Sequence, residues 1–183
     1  MVEILVDESM KRLAIEHSAE RMQYEYDRFG FNNEKRRNMI LVGTIGQLIF
    51  KKFLDDNKVK YDYELQAGNY DNFDFVIGND IFEIKTSGYY GNFNKLNLLY
   101  SQDQYMSGLA KGFKYCVQIF IDGLDAETRL VDISQTTRAV IAGYIEFKSI
   151  SRYRNFRQYY GDDYKVPLTQ LKNILDILKN YNK

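Results

Sequence analysis

Asn72-Phe73-Asp74-Phe75-Val76-Ile77-Gly78-Asn79-Asp80-Ile81-Phe82-Glu83-Ile84-Lys85-Thr86-Ser87-Gly88 reads as two short strands joined by a tight turn. Gly78-Asn79 is a good two-residue hairpin loop, because glycine supplies the positive φ that a type II′ turn needs at its first central position. A two-residue loop sets the register. It pairs Ile77 with Asp80, Val76 with Ile81, Phe75 with Phe82, Asp74 with Glu83 and Phe73 with Ile84. Side chains alternate between faces, so Phe73, Phe75, Phe82 and Ile84 share one face that should pack on a helix. Asp74, Glu83 and Lys85 share the other.

Two carboxylates directly opposite each other on neighbouring strands have Cβ atoms about 4.5–5.5 Å apart, and like charges at that spacing destabilise the pair. A divalent cation between Asp74 and Glu83 would remove the conflict. Hard oxygen ligands completed by water suit Mg²⁺ or Mn²⁺. Lys85, two residues beyond Glu83 on the same face, would orient and help deprotonate a metal-bound water, or neutralise charge developing on a phosphate. A solvated hairpin face carrying the same charges is the plain alternative. The strongly apolar flanks argue that this face is partly covered, and covered charges need partners.

Outward from the hairpin the pattern is helix, strands, helix. Ser9 to about Phe29 reads as a helix closed by Gly30. Glu34 to about Leu54 reads as a second helix, apolar on nearly all sides and therefore largely buried. Gly43 and Gly46 inside it would let it approach the sheet closely, since each glycine costs about 1 kcal/mol there relative to alanine. Strands are expected near Tyr61–Leu65, Phe73–Ile77 and Ile81–Lys85. Ser101 reads as an N-cap, with Gln104 three residues on completing a capping box and Gly112 as the stop. Further strands are expected at Phe113–Ile121, Arg129–Ile133 and Arg138–Phe147, and a last helix at Leu168–Tyr181. This order indicates an α/β domain.

The 183 residues suit one domain, and with Pro167 as the sole proline nothing divides the chain. It divides only into an N-terminal helix (about 9–29), a core (about 34–135) and a C-terminal strand and helix extension (about 138–183). A single cysteine, Cys116, excludes an intramolecular disulfide framework and a cysteine zinc site, and with a single histidine a His-based metal cluster or a Ser/His/Asp triad would hang on His17 alone. Hydrolytic chemistry would rest on carboxylates, lysine and a bound metal. No apolar run is long enough to span a membrane. The first residues lack a basic stretch and apolar core, which suggests an intracellular setting, in a cell or supplied by a virus. Net charge is zero, with 25 basic and 25 acidic residues, and that argues mildly against a polyanion binder. The distribution argues the other way. Tyr61–Tyr100 carries two basic and six acidic residues, whereas the chain from Ile141 carries eight basic and four acidic. An acidic middle between basic flanks suits a cation site within a surface for polyanions.

Asp74 followed by Glu83-Ile84-Lys85 on adjacent strands after a helix resembles the PD-(D/E)xK nuclease superfamily, with the restriction-endonuclease-like fold. The likeness runs from about Asn38 to Ile121. It continues more weakly through Ile141-Ala142-Gly143-Tyr144-Ile145 and Tyr160-Gly161 to Leu168-x-x-Leu171, as in small viral and prokaryotic members. The resemblance implies a central mixed sheet flanked by helices. It also implies Mg²⁺ held by Asp74, Glu83 and the Ile84 carbonyl, Lys85 assisting the attacking water, and DNA as substrate. Gln47 stands where such proteins often carry a further glutamate, which argues against a two-metal version more than against activity.

Other residues follow from this reading. Phosphate contacts are expected from Lys51, Thr86, Ser87, Arg152, Arg154 and Arg157, the arginines lying in the aromatic-rich run Arg152–Tyr160. For Thr86 and Ser87 the end of a strand is an equal explanation. Gln104 has two equal readings, the capping box or a site glutamine. His17 and Cys116 are expected to be packing or surface residues. A homodimer would supply two sites for cutting both strands. Two other functions stay open: a non-catalytic module of the same fold that binds DNA or a protein, and a phosphodiesterase acting on RNA or a nucleotide.

Overall fold

The computed structural model describes residues 1–22, 33–63, 73–89, 96–155 and 163–181. Its frame is a mixed six-stranded sheet. The strands are β1 (Val2–Leu5), β2 (Asp62–Tyr63), β3 (Phe75–Ile77), β4 (Asp80–Gly88), β6 (Tyr115–Ile121) and β7 (Arg138–Glu146), in spatial order β1-β7-β6-β4-β3-β2. Only β4 and β6 run parallel. That pairing requires a crossover, which β5 (Asn97–Tyr100) and α3 (Gln102–Ala110) provide. A second, three-stranded sheet has order β5-β9-β8, with β8 at Arg154–Asn155 and β9 at Asp163–Pro167.

The hairpin forms in the expected register, Phe75 opposite Phe82, Val76 opposite Ile81 and Ile77 opposite Asp80. Gly78 has φ +64°, and Asn79 is not among the residues of positive φ, as a type II′ turn requires.

The two faces of the sheet carry separate cores. On one face α1 (Glu8–Arg21), α2 (Asn33–Asp56) and α4 (Ile174–Tyr181) cover Phe75, Phe82, Ile84, Val117 and Ile119. On the other, Cys116 and Ile145 join Leu98, Tyr100, Tyr105, Phe147 and Val166 from the small sheet, α3 and a 3-10 helix at Phe147–Tyr153. The chain is therefore mixed α/β, with its sheet flanked by helices.

α2 lies against β4, and Phe50 packs on Phe75 and Phe82 with ring centroids 5.1 and 6.3 Å away. At Gly46 the approach is so close that an added Cβ would fall 1.7 Å from Thr86 Oγ1. Gly43 plays no such part, because no atom among the described residues comes within 4 Å of the place its Cβ would take.

Several expectations need correction. β1 and β5 lie where no strand was expected; each is four residues long and gains its order from a distant partner, β7 and β9 respectively. Arg129–Ile133 is not a strand. Arg129 has φ +60°, and Asp125 Oδ1 accepts from the backbone of Glu127 and Thr128, which builds a turn instead. Val131 keeps one isolated bridge to Leu124. The Asn38 side chain takes the part of a strand partner there, accepting from Val131 N at 3.0 Å and donating to Val131 O at 2.8 Å.

The last helix starts at Ile174, not Leu168; a 3-10 turn at Leu168–Gln170 precedes it. α1 is capped by Asp7, which accepts from Met10 N at 2.9 Å, and runs to Arg21. Phe29, Gly30 and the end of the Tyr61–Leu65 segment lie outside the described residues. No helix among the described residues is long and apolar enough to cross a membrane.

Candidate functional site

β3 begins at Phe75 while β4 continues past Ile84. Among the described residues, one edge of β4 thus has no strand partner from Glu83 onward. Asp74 sits at this fork, 7% exposed. Its Oδ2 accepts from the backbone N–H of Ile84 at 2.6 Å, so a carboxylate replaces the missing ladder bond. A strand residue directs its N–H and C=O to the same side. The Ile84 carbonyl therefore also faces the edge at Asp74. Asp74 Oδ1 accepts from Gln47 Nε2 of α2 at 2.5 Å.

Glu83 and Lys85 lie on the opposite face of β4 from Ile84 and Thr86. The Lys85 ammonium is 2.9 Å from Glu83 Oε1, with the two side chains 23% and 17% exposed. Burial opposes the charge on Lys85, but the Glu83 carboxylate outweighs it and leaves the lysine pKa raised. Lys85 is thus a cation at neutral pH, suited to donating hydrogen bonds. The like-charge conflict between Asp74 and Glu83 is relieved within the chain. Asp74 turns to two donors, and Glu83 turns to Lys85.

The oxygen donors at or next to this fork are the Asp74 carboxylate, the Ile84 carbonyl, the Gln47 side chain of α2 and, on the other face of β4, the Glu83 carboxylate. Among the described residues no three His, Cys, Asp or Glu side chains gather to hold a metal. An ion here would draw on two carboxylates and complete its shell with carbonyl, amide and water. Gln47 is 7% exposed, and its Oε1 is buried with no hydrogen-bond partner among the described residues. A buried acceptor without a donor costs free energy. A hard cation or its water would satisfy it, so the oxygen-only donor set fits Mg²⁺ or Mn²⁺.

The other expected site residues divide. Ser87 falls on the Glu83 and Lys85 face by alternation. Thr86 does not; its hydroxyl is turned to Gly46 of α2 and is buried, with no hydrogen-bond partner among the described residues. Lys51 lies one turn along α2 from Gln47, where Asp55 holds its ammonium at 2.8 Å. That hydrogen bond, joined by Tyr61, raises the Lys51 pKa. Arg152 and Arg154 are exposed and stand on the 3-10 helix and on β8, which belongs to the second sheet and not to the one that carries Glu83. Arg157 lies outside the described residues. Gln104 is in the first turn of α3, where its backbone N–H donates to Ser101 Oγ at 3.2 Å. His17 is a partly exposed residue of α1, 3.6 Å from Glu20.

Two residues near Lys85 carried no local signal as partners. Tyr100, at the end of β5, is 2% exposed and its ring centroid lies 4.6 Å from the Lys85 ammonium. Gln118 is the register partner of Lys85 across the parallel β4–β6 ladder and is 1% exposed. A glutamine inside the apolar run Tyr115–Ile121 was the one available hint, though its amide donates to the Ile119 carbonyl at 2.8 Å.

Compared with protein-family models, with curated proteins and with solved structures, the chain gives no match.

Proposed function

We propose that this chain is a Mg²⁺- or Mn²⁺-dependent DNA nuclease, built on a restriction-endonuclease-like sheet, that hydrolyses phosphodiester bonds within DNA. One observation carries the reading. Where β3 parts from β4, the buried Asp74 carboxylate is held by Gln47 and the Ile84 N–H, Gln47 Oε1 has no hydrogen-bond partner among the described residues, and the Glu83–Lys85 pair stands on the adjoining stretch of β4.

Asp74 and Glu83 would hold the ion with the Ile84 carbonyl. When bound, Mg²⁺ supplies Lewis acidity toward a phosphodiester oxygen. The chain does the rest. Gln47 Nε2 and the Ile84 N–H orient the Asp74 carboxylate. Lys85 stays protonated beside Glu83, so it donates to the attacking water or to the charged phosphate rather than removing a proton. Ser87 offers a hydroxyl on the same face. Arg152 and Arg154 would bind phosphates farther along the duplex, in a salt-sensitive way. A homodimer would bring two such sites to the two strands.

A second reading is a non-catalytic module of the same fold that holds DNA or a protein. It is favoured by the Glu83–Lys85 pair and the Asp74 hydrogen bonds, which balance the charges without an ion.

The test is cleavage of supercoiled plasmid, linear duplex, single-stranded DNA and RNA in Mg²⁺, Mn²⁺ or EDTA, beside Lys85→Ala. Metal-dependent cutting of DNA that Lys85→Ala abolishes is expected. Cutting of RNA alone would move the assignment to an RNA phosphodiesterase. No cutting by the wild type, with activity appearing in Gln47→Glu, would mark a degenerate site and favour the binding module. No cutting by either would overturn the enzyme reading.

A further inference from the structure

Lys85 is held from two sides, and only one of them is its ion pair. Glu83 Oε1 lies 2.9 Å from the ammonium, and the Tyr100 ring centroid lies 4.6 Å from it. Other lysines rest against aromatic rings, at 5.8 Å for Lys51 on Tyr61 and 6.0 Å for Lys172 on Tyr144, where the lysines are 39% and 54% exposed. The Tyr100 contact is shorter and lies in a drier place, where a cation over a ring face is worth more.

The ring itself cannot turn freely. Its hydroxyl donates to Cys116 Sγ at 3.3 Å, and Phe147 meets it edge-on at a centroid distance of 5.5 Å. Cys116 is fully buried and is the β6 partner of Glu83. Tyr100 ends β5, opposite Tyr164 of β9. The second sheet thus reaches the charged pair on β4 through the Tyr100 side chain.

We infer that Tyr100 is a positioning residue for Lys85: its ring face, fixed by Cys116 and Phe147, holds the ammonium beside Glu83. The consequence for cleavage rests on the nuclease reading above; the placement of the ammonium does not. Without the ring, the four-carbon stem of Lys85 would be free to swing into the space left behind. Ring and hydroxyl have separate parts. Phenylalanine keeps the face that meets the cation and loses only the tie to Cys116, whereas leucine and methionine keep bulk and lose the face.

The test reads Lys85 directly. In isotope-labelled full-length protein, the Lys85 ε-methylene signals are assigned by their loss in Lys85→Arg. They should lie upfield of those of the other lysines and show cross-relaxation to the Tyr100 ring. Both signatures should persist in Tyr100→Phe and vanish in Tyr100→Leu and in Tyr100→Met. Metal-dependent turnover should fall about tenfold in the leucine and methionine variants at unchanged KM, and stay within about twofold in Tyr100→Phe.

Signals coincident with the other lysines and no ring contact in the wild type would overturn the inference without any variant needing to fold. So would a folded Tyr100→Leu that turns over like the wild type. If no variant and no wild type cuts nucleic acid while the ring signature is present and depends on Tyr100, the nuclease reading fails and the positioning of Lys85 stands.

Discussion

The Asp74 carboxylate takes the backbone N–H of Ile84 at 2.6 Å, at the point where β3 has stopped pairing with β4. This bond and the one from Gln47 bind the acidic corner to both the sheet and α2. Asp74→Ala would leave two buried donors unpaired, at a cost of roughly 2–5 kcal/mol in urea unfolding. Asp74→Asn would cost less, because its amide oxygen still accepts one of them. Mg²⁺ should raise the Tm of the wild type and not that of Asp74→Asn. An equal rise in both would place the ion elsewhere.

Gln47→Glu sets a second carboxylate against Asp74 in a buried place. In EDTA the variant should melt below the wild type, since like charges repel and one must gain a proton. Added Mg²⁺ or Mn²⁺ should return it to or above the wild-type Tm, a larger response than the wild type shows. Thermal melts with and without metal check this; a metal response no larger than wild type would show that Gln47 does not face the ion.

The two glycines of α2 should behave in opposite ways. Gly46→Ala drives a methyl into Thr86 and should destabilise by about 1–3 kcal/mol. Gly43→Ala meets no described atom within 4 Å, and should stabilise by up to about 1 kcal/mol through helix propensity alone. Chemical unfolding of the two variants, side by side, is the measurement.

Asp7 caps α1, and its pKa is lowered first by the Ser9 hydroxyl and then by the Met10 N–H. A depressed carboxylate stabilises the fold above its unfolded pKa, and that contribution is lost as pH falls through the folded value. Asp7→Ala should therefore cost about 1 kcal/mol at pH 6, with the gap to wild type closing on acidification below about pH 4. Unfolding curves across that range would show it, and a gap that does not change with pH would refute it.

Arg152 is exposed on the 3-10 helix beside the second sheet. If it meets a phosphate, Arg152→Ala should weaken duplex binding in EDTA and reduce the slope of log K against log salt by about 1. An unchanged slope would remove this surface from the interface.

The hairpin was legible in the sequence because every force that sets it is local. Gly78 permits the turn, alternation sorts the faces, and the Phe75–Phe82 register follows from loop length. α2 was legible for the same kind of reason, a long apolar helical period. The sequence alone thus determined the mixed α/β class and put Glu83 and Lys85 on one face of β4, but the expected pairing of Asp74 with Glu83 does not form, because β3 begins only at Phe75.

Contacts between distant segments decided the rest. β1, β5 and β9 are strands only because remote backbones complete them, and no local pattern encodes a partner tens of residues away. Val131 pairs with the Asn38 side chain and through one bridge to Leu124 rather than within a strand, and neither contact is written in the local pattern. Asp74 and Glu83 were expected to repel each other across the hairpin. Tertiary packing instead gave Asp74 the Gln47 amide and the Ile84 N–H, and laid Lys85 between Glu83 and Tyr100. Which charge meets which partner depends on the approach of α2 and β5 to the sheet, and that approach exists only in the packed chain.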